Sequence, residues 1–475
     1  MVVPHAPRTA AGATPPAPVG EALSSATSRS DGALPRRLGF WATTAVMVGS
    51  IIGSGIFRVP AAVAGDVGSV GGLATVWVLG GVIALCGALA TAELAAAFPE
   101  SGGVFVYLRE AYGPGVAFLY GWTMLFLAPA GTAGLSLVFA EYLGTLVPLS
   151  PRGVHVVAAG AIVVVAAAGY RSVRGAGAIQ SAATVGKLAA LAALIGAAFL
   201  LGDGTAGSFG RGAPAPAEAR WGGVGLGLVA ALWAYNGFQD MVSIAGEVRD
   251  PGRVLPRALV AGSMTVIAVY LATNAAYLYV LPYDALRASP LVASDAMVRV
   301  LGAAGSGAVA VMVMVSTFGA LNGLVLTNPR VFYAMATEGL LFAPLARVHP
   351  RYGTPSVAIL VFAVVTLLCV WSRSFEQLAE AFVLGIWPFL ALTVAGVIVL
   401  RRTQPHLARP YRTPGYPVVP LVFIAGTLWV VGSALVARPV STLAGVGLSL
   451  LGIPVYLGWR AMRRRRASAT NAATP

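Results

Sequence analysis

Between residues 39 and 460 the sequence alternates long apolar blocks with short polar segments. Crossing a bilayer takes about 20 residues of helix. By that measure about twelve spans are expected, near 39–64, 71–97, 115–147, 154–170, 177–201, 222–246, 257–281, 304–336, 355–371, 377–400, 417–437 and 440–460. The third and eighth exceed the length needed, so both are expected to tilt. Residues 1–37 are rich in Ala, Pro, Ser and Thr without an apolar core, which predicts a disordered cytoplasmic tail and not a cleaved signal peptide. The expected fold class is all-α integral membrane, with a transmembrane domain over 38–463 and a basic cytoplasmic tail over 464–475.

Two spans are interrupted. The first contains Gly49-Ser50-Ile51-Ile52-Gly53-Ser54-Gly55-Ile56-Phe57, with three glycines and two serines within seven residues. Glycine costs about 1 kcal/mol in a helix interior, so this is where the helix is expected to open. In lipid, freed backbone groups are tolerated only where they line a cavity or meet a ligand. Small residues also let helices approach closely, and the stretch alone fits either reading. The sixth span supplies a partner in Trp233-Ala234-Tyr235-Asn236-Gly237-Phe238-Gln239-Asp240, a polar interruption between apolar residues 226–232 and 241–245. The two breaks are five spans apart, as are the two overlong spans. Paired breaks at that offset predict an inverted-repeat transporter of the LeuT-like kind, a 5+5 repeat with broken helices 1 and 6. Repeat one is expected over about 38–202 and repeat two over about 221–402, with extra helices over about 417–460.

Composition fixes the class and excludes others. The chain is 57% hydrophobic and 10% charged, which excludes a soluble enzyme with a single anchor. Its net charge of +14 would suit nucleic acid, but the arginines are scattered through short loops and no solvated domain presents them. Twenty-two arginines fall on the side shared by the two termini and eight on the other. Positive charge marks the cytoplasmic side, so both termini are expected in the cytoplasm and the protein in the plasma (inner) membrane. Cys86 and Cys369 lie in apolar runs, which argues against a disulfide framework. His5, His155, His349 and His406 fall in tails or loops, so neither a metal site nor a cofactor is expected. No phosphate-binding loop is present, and no nucleophile–base pair suggests an enzyme.

The residues at the first break resemble those of a known family. Ile52-Gly53-Ser54-Gly55-Ile56-Phe57 is similar to the first-helix motif of the amino acid–polyamine–organocation superfamily. Further stretches resemble its L-type amino acid transporter branch: Ala92-Glu93-Leu94, Phe98-Pro99-Glu100-Ser101-Gly102-Gly103, Phe118-Leu119-Tyr120-Gly121-Trp122, Ala234-Tyr235-Asn236-Gly237-Phe238, Gly246-Glu247-Val248-Arg249-Asp250-Pro251 and Arg409-Pro410-Tyr411-Arg412. The resemblance covers about residues 38 to 460. It implies a substrate site made of backbone at Ile51, Gly53, Ser54 and Gly55 in the first break and Trp233, Ala234 and Asn236 in the second. N–H groups at a helix start suit a carboxylate, and the resemblance assigns that role to Ser54 and Gly55. Carbonyls of Ile51, Trp233 and Asn236 would hold the amine of an α-amino acid. Trp233 matches a position that closes over substrate in relatives, a lid; an interfacial aromatic is the other reading.

Lys187 is the chain's one lysine against thirty arginines, and it lies inside the fifth span. A buried ammonium is expensive unless it is paired or neutral, and lysine, unlike arginine, can shed its proton when desolvated. In the family a lysine here fills the space of a sodium ion, which implies sodium-independent transport. The expectation is contact with the first break near Gly53 and with polar groups of span eight such as Ser316; snorkelling to the cytoplasmic face is the alternative. Glu93 and Glu141, near span ends, are expected to make structural hydrogen bonds. Glu247 opens the 247–257 loop, whose arginines offer ion pairs for an inner gate. Asp240 either biases the pocket toward cations or protonation, or makes a polar contact in an outer vestibule.

The function expected is sodium-independent secondary transport of amino acids, above all small neutral L-amino acids, by exchange or proton-coupled uptake. Cationic amino acids or polyamines are the alternative substrates, and an amino-acid-binding membrane sensor the alternative class. Animal relatives join a heavy subunit through a cysteine between spans three and four. The 147–153 loop has none, so a disulfide-linked partner is not expected.

Overall fold

The first span departs from a continuous helix where its glycines and serines cluster: Phe40–Ile51 (α1) and Gly55–Val67 (α2) meet at 45°. The computed structural model describes residues 38–99, 102–171, 176–204, 217–239 and 248–461. After the broken pair come Val70–Ala97 (α3), Val104–Tyr112 (α4), Pro114–Gly144 (α5), Pro151–Arg171 (α6), Ala176–Leu201 (α7) and Ala217–Ala234 (α8). Then follow Pro251–Val280 (α9), Tyr283–Ala288 (α10), Val292–Thr337 (α11), Ser356–Ser372 (α12), Phe375–Thr403 (α13), Val418–Ala437 (α14) and Pro439–Leu450 (α15). Among the described residues eight helices are long and apolar enough to cross a membrane, or nine if α1 and α2 form one span. Gly222–Ala234 and α12 are shorter apolar helices. The 46 residues of α11 are interrupted at Gly302 (φ 63°, ψ −151°), so the long eighth span begins there and not at Val292.

Lipid gives apolar side chains no reason to prefer each other, so small residues that allow close approach decide which helices meet. Helix α5 sits at the centre, with 83% of its apolar window buried against 28% for α6 and α14. Gly121 of α5 faces Met335 of α11, and Gly385 of α13 faces Leu127 of α5, each too closely to admit a Cβ. Other packed pairs are α3 with α9, α6 with α12, α1 with α7 and α9, α8 with α3 and α13, α7 with α9 and α11, and α13 with α3.

One buried carboxylate in this apolar frame is closely paired. Glu93 in α3 is 1% exposed. It accepts from the Arg401 guanidinium at 2.9 and 2.7 Å, and from the Thr413 N–H and hydroxyl at 2.7 and 2.8 Å. A buried carboxylate needs such bonds to offset its lost hydration, and these fix the segment between α13 and α14 to α3.

Candidate functional site

Helix α1 stops because Ile52 leaves helical backbone (φ −74°, ψ 87°). A helix end exposes its last carbonyls, and each needs a partner. The Val48 carbonyl takes the Ile52 N–H at 2.9 Å. Those of Gly49 and Ile52 accept from Lys187 Nζ at 3.3 and 3.1 Å. The Ile51 carbonyl accepts the Gly53 N–H at 2.8 Å and the Tyr270 hydroxyl at 3.1 Å. Helix α2 starts after Ser54, whose side chain makes no capping bond and whose hydroxyl is buried without a hydrogen-bond partner. The first N–H groups of α2, at the positive end of its dipole, thus have no side-chain cap.

The second break mirrors this arrangement. Helix α8 ends at Ala234, and Gly237 adopts φ 127°, a conformation that disfavours any side chain. Gln239 holds the turn: its Oε1 accepts the Gly237 N–H at 3.1 Å, and its Nε2 donates to Asn236 Oδ1 at 2.9 Å. The Ala234 carbonyl accepts from Tyr270, at 2.9 Å. One buried hydroxyl therefore bridges the two breaks, and its single proton serves two carbonyl oxygens. The breaks also touch directly. A Cβ on Gly55 would lie 2.5 Å from Ala234 Cα, and one on Gly237 would lie 2.8 Å from the Ser50 carbonyl oxygen.

Between the breaks and helices α5, α11 and α13 lies a cavity of about 410 Å³. Ile51, Gly53, Ser54, Gly55, Trp233 and Asn236 all line it, as do Tyr120 and Asn328. It extends to Leu38 and Arg330, at the end of the bundle where the described chain begins. Toward the other end it is closed. The Trp233 ring packs edge-on against Phe375 and Phe382, with centroids 5.8 and 5.4 Å away. Beyond Trp233, Arg58 of α2 pairs with Glu141 of α5 and, at 2.8 Å, with Glu376 of α13, while its guanidinium lies over the Phe375 ring.

Most of the expected positions thus converge, with three differences. Ala234 does not line the cavity; its carbonyl accepts from Tyr270 and its side chain packs against Gly55. The Ile51 carbonyl, expected to await an amine, is already engaged by Gly53 and Tyr270. Ser316, expected beside Lys187, has a buried hydroxyl without a hydrogen-bond partner. Lys187 itself is 3% exposed and turned onto α1, not toward a membrane surface. Asp240 and Glu247 lie outside the described residues. Sequence reasoning missed Tyr270 and Gln239. A tyrosine within a span carries no signal of its own, whereas Gln239, three residues after Asn236, sat at a spacing that brings side chains together on a helix.

Residues 38–453 match the amino acid permease family. The chain is 31% identical over 442 residues to the serine/threonine exchanger SteT of Bacillus subtilis (strain 168), covering 92% of this chain and 99% of that one. It is 33% identical over 412 residues to the b(0,+)-type amino acid transporter 1 of Homo sapiens, covering 86% and 84%. To the human cystine/glutamate transporter it is 32% identical over 431 residues, covering 89% and 85%. With relatives matched over most of their own length and a family match nearly as long as the described chain, the protein belongs to the amino acid permease family, a family of transporters and not of enzymes.

Proposed function

We propose that the protein is a sodium-independent secondary transporter that exchanges small neutral L-amino acids across the plasma membrane, with both termini in the cytoplasm. The observation that carries this reading is the unmet backbone chemistry at the paired breaks. Uncapped N–H groups at the head of α2 suit a carboxylate, and carbonyls at the second break such as that of Trp233, which takes the Asn236 N–H at 3.3 Å, suit an ammonium. An α-amino acid supplies both missing partners. Its carboxylate would take the N–H groups of Ser54 and Gly55, and its ammonium the carbonyls of Ile51, Trp233 and Asn236. A cavity of about 410 Å³ admits a small amino acid.

Helix packing supports twelve spans in two inverted repeats, 38–202 and 221–402, with 417–460 outside them. Exchanging each span for the one five later turns observed contacts into other observed contacts. The α1–α9 pair becomes α8–α3, α1–α7 becomes α8–α13, α5–α13 becomes α11–α7, and α7–α9 becomes α13–α3. Rocking between two such repeats opens the site to either side in turn. The present arrangement is open toward the cytoplasm, with Trp233 as lid and Arg58 as latch outside it. Lys187, bonded to α1 where relatives of other kinds hold sodium, makes that ion unnecessary. Cys86 and Cys369 lie in α3 and α12, away from the 147–153 loop, so the chain works without a disulfide-linked subunit. The relative named as a serine/threonine exchanger supports exchange and small neutral substrates.

Backbone capture requires both charged groups of the substrate. Unlabelled L-serine should compete with radiolabelled L-serine uptake, while N-acetylserine and serinamide, each lacking one charge, should not. Equal competition by all three would remove the basis of this reading.

A further inference from the structure

The second break turns a side chain toward the central cavity as well as its backbone. Asn236 lines that cavity, and its N–H is bonded to the Trp233 carbonyl at 3.3 Å. What its amide shows the cavity is decided by Gln239, which is 7% exposed. One end of the Gln239 amide lies 3.1 Å from the Gly237 N–H. A backbone N–H can only donate, so that end is Oε1 and the other is the NH2 group. The NH2 group lies 2.9 Å from the Asn236 amide and also can only donate, so the atom it meets is Oδ1. Asn236 Oδ1 is thus taken by Gln239, while Asn236 Nδ2 makes no hydrogen bond among the described residues. An amide that could have presented either a donor or an acceptor is held so that it presents donors.

We propose that Asn236 Nδ2, aimed by Gln239, selects substrates by their side chains, favouring neutral amino acids with an acceptor oxygen on Cβ, as in the hydroxyl of serine. The proposal deepens the transport reading and rests on it. Capture by backbone is indifferent to the side chain, so discrimination needs a side-chain group in the wall. An apolar side chain of the same size leaves the N–H groups unpaired, and a side-chain ammonium sets donors against donors. One such hydrogen bond is worth about threefold to tenfold in apparent affinity. Gln239 acts through Asn236 and is a positioning residue.

Competition against radiolabelled L-serine exchange in proteoliposomes tests this. The competitors are L-norvaline, O-methyl-L-serine and L-2,4-diaminobutyrate, whose side chains are equal in length. The first makes no hydrogen bond, the second only accepts and the third only donates. In wild type O-methylserine should inhibit at a concentration about threefold to tenfold below that of norvaline, and diaminobutyrate should be the weakest. Asn236→Leu should make O-methylserine and norvaline equal. Gln239→Met leaves the Asn236 amide free to turn its oxygen to the cavity, so diaminobutyrate should gain about threefold on norvaline. A merely structural role for Gln239 would weaken all three competitors alike. Equal inhibition by O-methylserine and norvaline in wild type, with serine exchange intact, would overturn the side-chain contact and leave the transport reading standing. An O-methylserine preference kept in Asn236→Leu would overturn it equally, and these two comparisons decide the matter if Gln239→Met does not fold. No gain by diaminobutyrate in a folded Gln239→Met would overturn the positioning by Gln239. Absence of serine exchange in wild type would remove both readings together.

Discussion

Lys187 Nζ lies 3.1 Å from the Ile52 carbonyl oxygen, at the point where the first half-helix ends. The chain's single lysine thus supplies donors to a helix terminus that lipid cannot solvate. Replacing it with alanine leaves the Gly49 and Ile52 carbonyls buried without partners, at about 1–3 kcal/mol each. Lys187→Ala should lower serine exchange at least tenfold and reduce thermal stability. An unchanged exchange rate would show that the bond is incidental.

Tyr270 makes a prediction of a different kind. In Tyr270→Phe the Ile51 and Ala234 carbonyls lose their shared donor, so the substrate-free protein should melt at lower temperature. An amino acid then supplies what the variant lacks. Saturating L-serine should raise the melting temperature of Tyr270→Phe by more than it raises that of wild type. An equal or smaller shift would mean that the ammonium does not reach the Ile51 carbonyl.

Two glycines of the first break should behave oppositely. An alanine at Gly55 places its Cβ 2.5 Å from Ala234, so Gly55→Ala should destabilise by about 1–3 kcal/mol, as overpacked sites do. Gly53 has no atom within 4 Å of such a Cβ and lines the cavity. Gly53→Ala should fold like wild type and raise the half-saturation concentration for serine. Thermal unfolding and uptake on the same two preparations separate these outcomes.

Arg58 joins α2 to α5 and α13 through Glu141, Glu376 and the Phe375 ring. Arg58→Ala leaves two carboxylates facing each other without a cation, which disfavours the closed outer end. A cysteine introduced by Thr132→Cys, in the wall of the central cavity, should react with a membrane-impermeant thiol reagent applied from the outer side about tenfold faster when Arg58 is also replaced, as a shift of about 1.4 kcal/mol would give. Equal rates would place the latch elsewhere.

How much of this was legible in the sequence depended on locality. The first break announced itself because its glycines and serines are contiguous, and Lys187 because lysine is otherwise absent. The Arg58 latch joins residues 83 and 318 positions apart, and no local pattern links them. Tyr270 was invisible for a related reason: its hydroxyl matters only once both breaks are brought to one point, 219 residues from Ile51 and 36 from Ala234. The Gly302 interruption in α11 was partly visible, since the long eighth span had been expected to begin just after it. Ser316 lies in α11, and its buried hydroxyl makes no hydrogen bond, so polarity within a span did not by itself name a bonding partner.

The most direct test of transport between paired helix breaks is radiolabelled L-serine uptake into proteoliposomes, preloaded with L-serine or empty, in buffers with sodium or with choline in its place. Uptake should be stimulated by internal serine, unaffected by removing sodium, and abolished when Gly53 is replaced by a residue that fills the cavity, such as leucine. Uptake that requires sodium, or that proceeds unaltered in Gly53→Leu, would contradict that mechanism.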